Sequence, residues 1–299
     1  MRTRLPGMSL RYATMAALAT AAAAQLLPST AASQQWDGVN SAAVPVVTKA
    51  PTAPQSAAPP SFDAKFTAAL MSNNIFRGYT LSNNLPSASG TLEASYSIVF
   101  ASLNGASVQI PELSHFQLTD TIGLRPVFGK LTVETGLAYY SYPGSAEDLS
   151  YAEIYFAPSY AVTPKLTLGA SIYYGPNYYR SGAWENYNAV SGKYDLGHGL
   201  SVSAELGRQS FGTTADTPPI KLPDYIYGNI GGTYVHKSLS FDVRFHGTTL
   251  SRQSCFLITG TGSPAGSNGC QPTIVGTLSW NGSLSELKSA FSNRDASDR

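Results

Sequence analysis

The chain has 299 residues, enough for one large domain or two smaller ones, and a formal net charge of +1. Charged residues make up 12% of it, which is about half the share in an ordinary soluble domain. The near-neutral net charge excludes the basic surface that binds nucleic acid. Its richness in Tyr and Gly at a mean hydropathy of −0.07 is typical of strands with one apolar and one uncharged polar face. Transmembrane barrels and secreted β-sandwiches both have this composition.

The N-terminus predicts export. Arg2, Arg4 and Arg11 precede or open an Ala-rich apolar run that extends from Ala13 to Leu27, which is the pattern of a secretory signal peptide. The run falls short of the ~20 strongly apolar residues that a membrane-spanning helix needs. We assign residues 1–32 to the signal peptide, 33–60 to a Pro-, Ala- and Ser-rich linker, 61–280 to a barrel and 281–299 to a polar tail.

From Phe62 onward, apolar and polar residues alternate over segments of strand length. In the clearest segment, Phe241 to His246, apolar residues alternate with Asp, Arg and His. This period of two predicts half-buried strands, and about 9–11 residues suffice for a tilted strand to cross a bilayer. Because a backbone in lipid must satisfy its own hydrogen bonds, strands can enter a membrane only as a closed barrel. Further segments with this pattern are Phe62–Leu70, Leu131–Tyr139 and Leu166–Ile172.

The connections between predicted strands alternate between short turns and long polar loops. This arrangement is typical of outer-membrane barrels, whose short turns face the periplasm. Including less regular strands near Ser89–Val108 and Phe116–Pro126, the pattern predicts an all-β, antiparallel transmembrane barrel of about 12 strands. The short turns are Val127–Gly129, Thr163–Pro164, Gly197–Gly199 and Lys237–Ser238, and the long loops are Asn73–Ser87, Pro143–Leu149, Pro176–Ala183, Thr213–Pro223 and Ser251–Gln271.

Aromatic residues cluster near the predicted strand ends. Such clusters are typical of the girdles that barrels place at the lipid–water interface, and core packing of a soluble β protein is the alternative. The residues predicted to form the girdles are Tyr139, Tyr140, Tyr142, Tyr173, Tyr174, Tyr178, Tyr179, Trp184, Tyr225, Tyr227 and Trp280.

Charged residues on the polar strand faces would line the lumen. Acids outnumber bases among them, which would weakly favour cations at a constriction that selects solutes by charge and size. For most of them, a solvated or salt-bridged wall position is the simpler alternative. Arg77, in the first long loop, either folds inward or braces its loop. The lumen candidates are Asp63, Lys65, Glu93, Arg125, Glu134, Glu153, Glu205, Asp242, Arg244 and His246.

Cys255 and Cys270 flank a Gly- and Ser-rich stretch of the last long loop. In an oxidising periplasm we expect a disulfide between them, which would stabilise the loop by up to ~3 kcal/mol. A metal site would need further ligands, and no histidine lies nearby in the sequence.

Catalytic residues are not predicted. Asp242, Arg244 and His246 stand side by side on one strand face and do not form a nucleophile–base–orienter set. No Ser lies in a nucleophile-elbow sequence, and no phosphate-binding Gly-rich loop precedes a helix. We therefore expect no enzymatic activity, no cofactor and no metal.

Several motifs in order resemble the TorF-type porin family, a conserved proteobacterial group. The first is Ser72–Thr80, with the sequence SNNIFRGYT, and later ones are Tyr140–Gly144, the Glu153–Tyr155 segment, Asp242–His246 and the cysteine pair before the last strand. The resemblance covers roughly Phe62 to Trp280 and implies an outer-membrane barrel with a channel role but no particular solute. The polar residues after Trp280 depart from it, since outer-membrane barrels commonly end at a terminal aromatic residue.

The leading hypothesis is a porin-like channel in the outer membrane of a Gram-negative bacterium, which passes small hydrophilic solutes by passive diffusion. Its expected partners are outer-membrane lipid and those solutes. The alternatives are an outer-membrane enzyme of the lipase or protease type, a barrel with a plugged lumen that acts as adhesin or scaffold, and a soluble secreted β protein. In a barrel of ~12 strands, side chains can fill the lumen.

Overall fold

The computed structural model describes residues 62–110, 114–145, 147–259, 262–263 and 265–284. The signal peptide and linker assigned to residues 1–60, and all but the first residues of the tail, lie outside these ranges. The elements in chain order are β1 (Phe62–Met71), β2 (Ile75–Phe76), β3 (Tyr79–Thr80), β4 (Ser87–Tyr96), β5 (Val99–Ile110), β6 (Ser114–Leu124), β7 (Val127–Phe128), β8 (Leu131–Ser141), β9 (Tyr151–Ala161), β10 (Leu166–Tyr178), β11 (Ala183–Gly197), β12 (Leu200–Phe211), β13 (Tyr225–His236), β14 (Leu239–Thr248), α1 (Arg252–Thr259) and β15 (Thr273–Ser283).

The long strands form one closed antiparallel barrel. Neighbours in sequence pair with each other from β4 to β6 and from β8 to β15. The β1–β4, β1–β15 and β6–β8 pairings complete the circle, so that twelve long strands close without a free edge. The short β7 pairs only with β8, and β2 and β3 form a separate hairpin. The predicted fold class is confirmed.

The outer face of the barrel is apolar. On β14, Phe241, Val243 and Phe245 are exposed while the residues between them are buried. The same alternation holds on β12, on β15 and over the last four residues of β1, as period-two side-chain placement requires. Water would solvate so much apolar surface poorly, whereas lipid suits it. Among the described helices, none has the length and hydropathy to cross a bilayer.

The connections are short at one end of the barrel, which we call the turn end, and most of those at the other, the loop end, are longer. The turn end includes the predicted short turns and one more at Ser97–Ile98. The Pro176–Ala183 segment differs from the prediction, because β10 continues to Tyr178 and leaves only a tight turn before β11. The last strand continues to Ser283, beyond the predicted end at Trp280, because its pairing with β1 extends that far.

The prediction that the clustered aromatics form girdles is largely wrong. Tyr139, Tyr174, Trp184 and Trp280 do point outward. The other seven are buried inside the loop half of the barrel, where ring packs on ring: Tyr140, Tyr142, Tyr173, Tyr178, Tyr179, Tyr225 and Tyr227. An outward girdle at the turn end comes instead from aromatics that the sequence did not single out, namely Phe62, Tyr96, Phe128, Tyr160, Tyr194 and Tyr234.

The last loop packs over the loop end through α1 and the predicted disulfide. Cys255 and Cys270 are joined and both are buried. Thr80, in the first loop, donates its backbone N–H to the carbonyl of Gly269 at 2.8 Å. The disulfide therefore holds the segment that covers the first loop.

Replacing both cysteines by serine should loosen this loop without unfolding the barrel. Loop-closure entropy limits the loss to about 3 kcal/mol, and the strand pairs do not involve either residue. We expect protease cleavage within α1 or the segment after it in the double variant, but not in the wild type. Equal protease resistance of the two proteins would contradict a stabilising role for the disulfide.

Candidate functional site: the lumen and its inner hairpin

The first long loop turns into the barrel. We call residues 74–82 the inner hairpin; it contains β2 and β3. Phe76 is 0% exposed and Tyr79 is 1% exposed, although neither lies on a barrel strand. Gly78 makes the turn with a φ of +100°, and a Cβ there would lie 2.9 Å from Cβ of Thr248 on β14. A side chain would fit neither this backbone conformation nor this close approach to the wall.

Arg77 extends from the tip of the inner hairpin towards the opposite wall. Its guanidinium lies 3.9 Å from the ring centroid of Tyr187 and 4.9 Å from that of Tyr173. Its Nη1 donates a hydrogen bond to Oε1 of Gln209 at 2.8 Å and lies 3.6 Å from Oε1 of Glu153. One side chain from the loop thus contacts β9, β10, β11 and β12.

Two buried carboxylates face this guanidinium. Glu153 and Glu185 are both 0% exposed. Glu153 accepts a hydrogen bond from the Tyr140 hydroxyl at 3.0 Å, and Glu185 accepts one from Nε2 of Gln209 at 3.1 Å. Burial works to lower the pKa of Arg77, but the two carboxylates outweigh burial and raise that pKa above its ordinary value. Arg77 is therefore a charged group inside the barrel.

The position of Tyr187 depends on a glycine in the next strand. A Cβ on Gly207 would lie 2.5 Å from Cζ of Tyr187. The absence of a side chain there lets the ring lie along the wall, where its hydroxyl donates to Oε1 of Glu205 at 2.6 Å.

Substitution of Gly207 by Ala should displace the Tyr187 ring, because the new Cβ would overlap that ring. The backbone at Gly207 is held by its pairs on both neighbouring strands, so the ring has to move. Overpacking of this kind costs about 1–3 kcal/mol, measured as a lower temperature for the folded-to-unfolded band shift in detergent. Gly192→Ala is the matched control, since a Cβ there meets only Cδ2 of Leu168 at 3.5 Å. A Gly207→Ala protein as stable as that control would contradict the assigned role of the glycine.

A second charged cluster lies nearer the turn end. Arg125 donates to both oxygens of Glu93, at 3.1 and 2.9 Å, and to Oε2 of Glu134 at 2.7 Å. Its guanidinium lies 4.2 Å from the ring centroid of Phe100. Lys65 is 3.7 Å from Glu93 and is partly exposed to the lumen. These groups form a bidentate, mutually satisfied network on the inner wall.

A third cluster is on the wall formed by β12, β13 and β14. Arg244 donates to Oδ1 of Asn229 at 2.6 Å and to Oγ of Ser203 at 2.8 Å, and it lies 3.2 Å from Oδ2 of Asp242. His246 shares a hydrogen bond with the Tyr227 hydroxyl at 2.8 Å. Arg244 is 1% exposed, so it braces the wall and does not reach into open lumen.

Nine of the ten lumen candidates lie on the inner face of strands, and Arg125, between β6 and β7, also reaches inward. Most of them form the clusters above in place of one ring. Arg77 folds inward. Sequence reasoning missed Glu185, Lys193 and Asp195, which share the inner face of β11. The alternation of β11 is obscured near the loop end, because Asn186 points outward and Tyr187 inward. The inner-face positions found by sequence are Asp63, Lys65, Glu93, Arg125, Glu134, Glu153, Glu205, Asp242, Arg244 and His246.

Burial of the inner face is graded along the barrel. On β11, residues 183, 185, 187 and 189 are buried, whereas residues 191, 193 and 195 towards the turn end are partly exposed. The inner face of this strand is therefore accessible towards the turn end and buried towards the loop end. Towards the loop end, the inner hairpin and the tyrosines fill the space around Arg77, which is 5% exposed.

No protein-family model matches the sequence, and no curated protein matches it. Solved structures with a similar fold include the KdgM porin, at 9% identity over 73% of this chain and 98% of that one, with a TM-score of 0.45. The NanC porin has 11% identity over 74% and 98%, with a TM-score of 0.43. The CymD monoaromatic hydrocarbon channel has 10% identity over 76% and 89%, with a TM-score of 0.40. At such values the function has to be argued from the geometry of this barrel.

Proposed function

We propose that this chain is an outer-membrane channel for the passive diffusion of small hydrophilic solutes, and that the inner hairpin holds it closed in the state described. The main observation in support of this function is a closed barrel with a largely apolar outer face and a charged inner face. Such a partition fits lipid outside and water inside. A hairpin that is not part of the barrel sheet but crosses its interior is a natural gate, since its departure breaks no barrel strand pair.

The proposed channel favours cations. Carboxylates outnumber cationic groups on the described inner face, so the field inside is negative. The carboxylates are Asp63, Glu93, Glu134, Glu153, Glu185, Asp195, Glu205 and Asp242, and the cationic groups are Lys65, Arg77, Arg125, Lys193 and Arg244. Membership of the TorF-type porin family is part of this proposal. It is supported by the inward position of the SNNIFRGYT segment, which gives that motif a structural role.

A plugged barrel that serves as adhesin or scaffold is the second candidate, and the buried inner hairpin is the observation that favours it. An outer-membrane enzyme is the weaker alternative, because most of the acid–base groups described are either buried among tyrosines or held in ion pairs. Catalysis would require acid–base side chains within hydrogen-bond reach of a substrate.

Single-channel recording of the refolded mature protein in a planar bilayer tests the proposal. A salt gradient across the bilayer reads ion preference from the reversal potential. We expect infrequent discrete steps, because the hairpin must leave before ions pass, and a reversal potential on the cation side. A reversal potential that indicates anion preference would contradict the assigned inner-face charge.

A further inference from the structure

We propose that the pocket that holds the Arg77 guanidinium is a binding site for a guanidinium-bearing solute, and that Arg77 occupies it as an internal stand-in. The inference rests on the proposed function and names the class of solute for the same lumen. The wall residues of the pocket are Tyr173, Tyr187, Gln209, Glu153 and Glu185, contributed by β9, β10, β11 and β12.

The pocket has the chemistry that recognises a planar organic cation. The faces of Tyr173 and Tyr187 attract a cation through their π systems, and a delocalised guanidinium suits them because it is weakly hydrated. Gln209 accepts one N–H while it donates to Glu185. A small hydrated ion such as sodium would gain less from the ring faces, since it holds its water more strongly.

The charge of the pocket is not balanced by the wall. Its two acidic side chains, Glu153 and Glu185, face a single cation, and that cation comes from the hairpin. Oε1 of Glu153 and Oε1 of Glu185 are buried and accept no hydrogen bond, so the pocket retains acceptors that Arg77 does not saturate. When the hairpin leaves, two carboxylates and two ring faces are exposed to the lumen without their cation. A solute with the same head group would then replace it.

The other two arginines of the inner face do not have this arrangement. Arg125 and Arg244 lie on barrel strands or their turns and are held by their immediate neighbours on the wall. Arg77 alone, among the arginines of the described residues, reaches its partners from a loop that crosses the lumen. It can therefore leave its pocket without distorting the barrel.

Rescue of Arg77→Ala by guanidinium chloride, kept far below denaturing concentration, tests the inference. The folded protein in detergent is heated, and the temperature of the folded-to-unfolded band shift is compared in guanidinium chloride and in sodium chloride at equal ionic strength. A ligand that binds only the folded state raises this temperature. We expect guanidinium to raise it for Arg77→Ala and not for the wild type, whose pocket is already occupied.

The matched control carries Arg77→Ala with Glu134→Gln, which removes a buried carboxylate outside the pocket. Rescue should persist there and disappear when Arg77→Ala is combined with Glu153→Gln and Glu185→Gln. If Arg77→Ala does not fold alone, its refolding yield in guanidinium against sodium is the measurement, with the same expectation. Equal effects of the two cations, or rescue that survives loss of both pocket carboxylates, would overturn the inference.

This readout does not depend on conduction, so it separates the two proposals. If Arg77→Ala conducts but guanidinium neither stabilises it nor blocks its current more than sodium does, the channel stands and the solute class is wrong. If guanidinium rescues a folded, inserted protein that never conducts, the pocket stands and the channel function is wrong. Where both hold, we expect guanidinium to reduce the Arg77→Ala current at least about tenfold more effectively than sodium, a difference typical of specific recognition.

Discussion

Replacement of Arg77 by Glu is expected to open the barrel. A third carboxylate would face Glu153 and Glu185 in a space without a counter-charge. Removal of one partner of a buried ion pair costs about 3–5 kcal/mol, and charge reversal adds repulsion. The strain is relieved if the inner hairpin leaves and water enters. We expect the open probability in planar bilayers to rise at least about tenfold, since ~1.4 kcal/mol already shifts an equilibrium by that factor.

Arg77→Lys is the matched control for this substitution. Lysine keeps the positive charge but has neither the planar fork that bonds to Gln209 and Glu153 nor the flat face that stacks on Tyr187. Its open probability should therefore lie between those of the wild type and Arg77→Glu. An Arg77→Glu protein that is folded, inserted and as silent as the wild type would show that the ion contact does not hold the hairpin.

An arginine on the outer face should destabilise the inserted barrel, whereas one on the inner face next to it should not. Val190 lies mid-strand on β11 and is 59% exposed on the outside. Arginine on the lipid face near the bilayer centre costs about 2–4 kcal/mol. Ser191 points into the lumen and pairs with Glu205 across the strands. Val190→Arg should therefore lower the denaturant midpoint in lipid vesicles, and Ser191→Arg should leave it nearly unchanged.

The reverse order of stability would contradict the assignment of the two faces. A soluble β protein would also give a different result, because an exposed arginine costs little in water. The pair of variants thus tests the membrane orientation through side chains that differ by a single position in the chain.

The fold was predictable because lipid and water impose a simple alternation. On β14, apolar residues are on one face and charged residues on the other, as in a barrel wall that separates two solvents. The sequence also indicated the disulfide, because the two cysteines occur in one loop of an exported chain. These features depend on local pattern alone.

The filling of the loop half of the lumen was not predictable, because it depends on contacts distant in sequence. Arg77 meets Glu153 and Gln209, which are separated from it by many strands. The tyrosines suggested a girdle because their sequence positions do not tell which face of the strand meets lipid and which meets the lumen. Near the loop end of β11, the outward residue is the polar Asn186 and the inward one is the aromatic Tyr187, so the usual apolar signal is lost.

The most direct test of a channel closed by its own hairpin is conductance after removal of that hairpin. Residues 74–82 are replaced by a short Gly- and Ser-rich linker, and single channels are recorded beside the wild type. The account predicts long, frequent openings with a cation-side reversal potential in the shortened protein and rare openings in the wild type. A shortened barrel that is folded and inserted but never conducts would contradict it, and would favour a scaffold or adhesin.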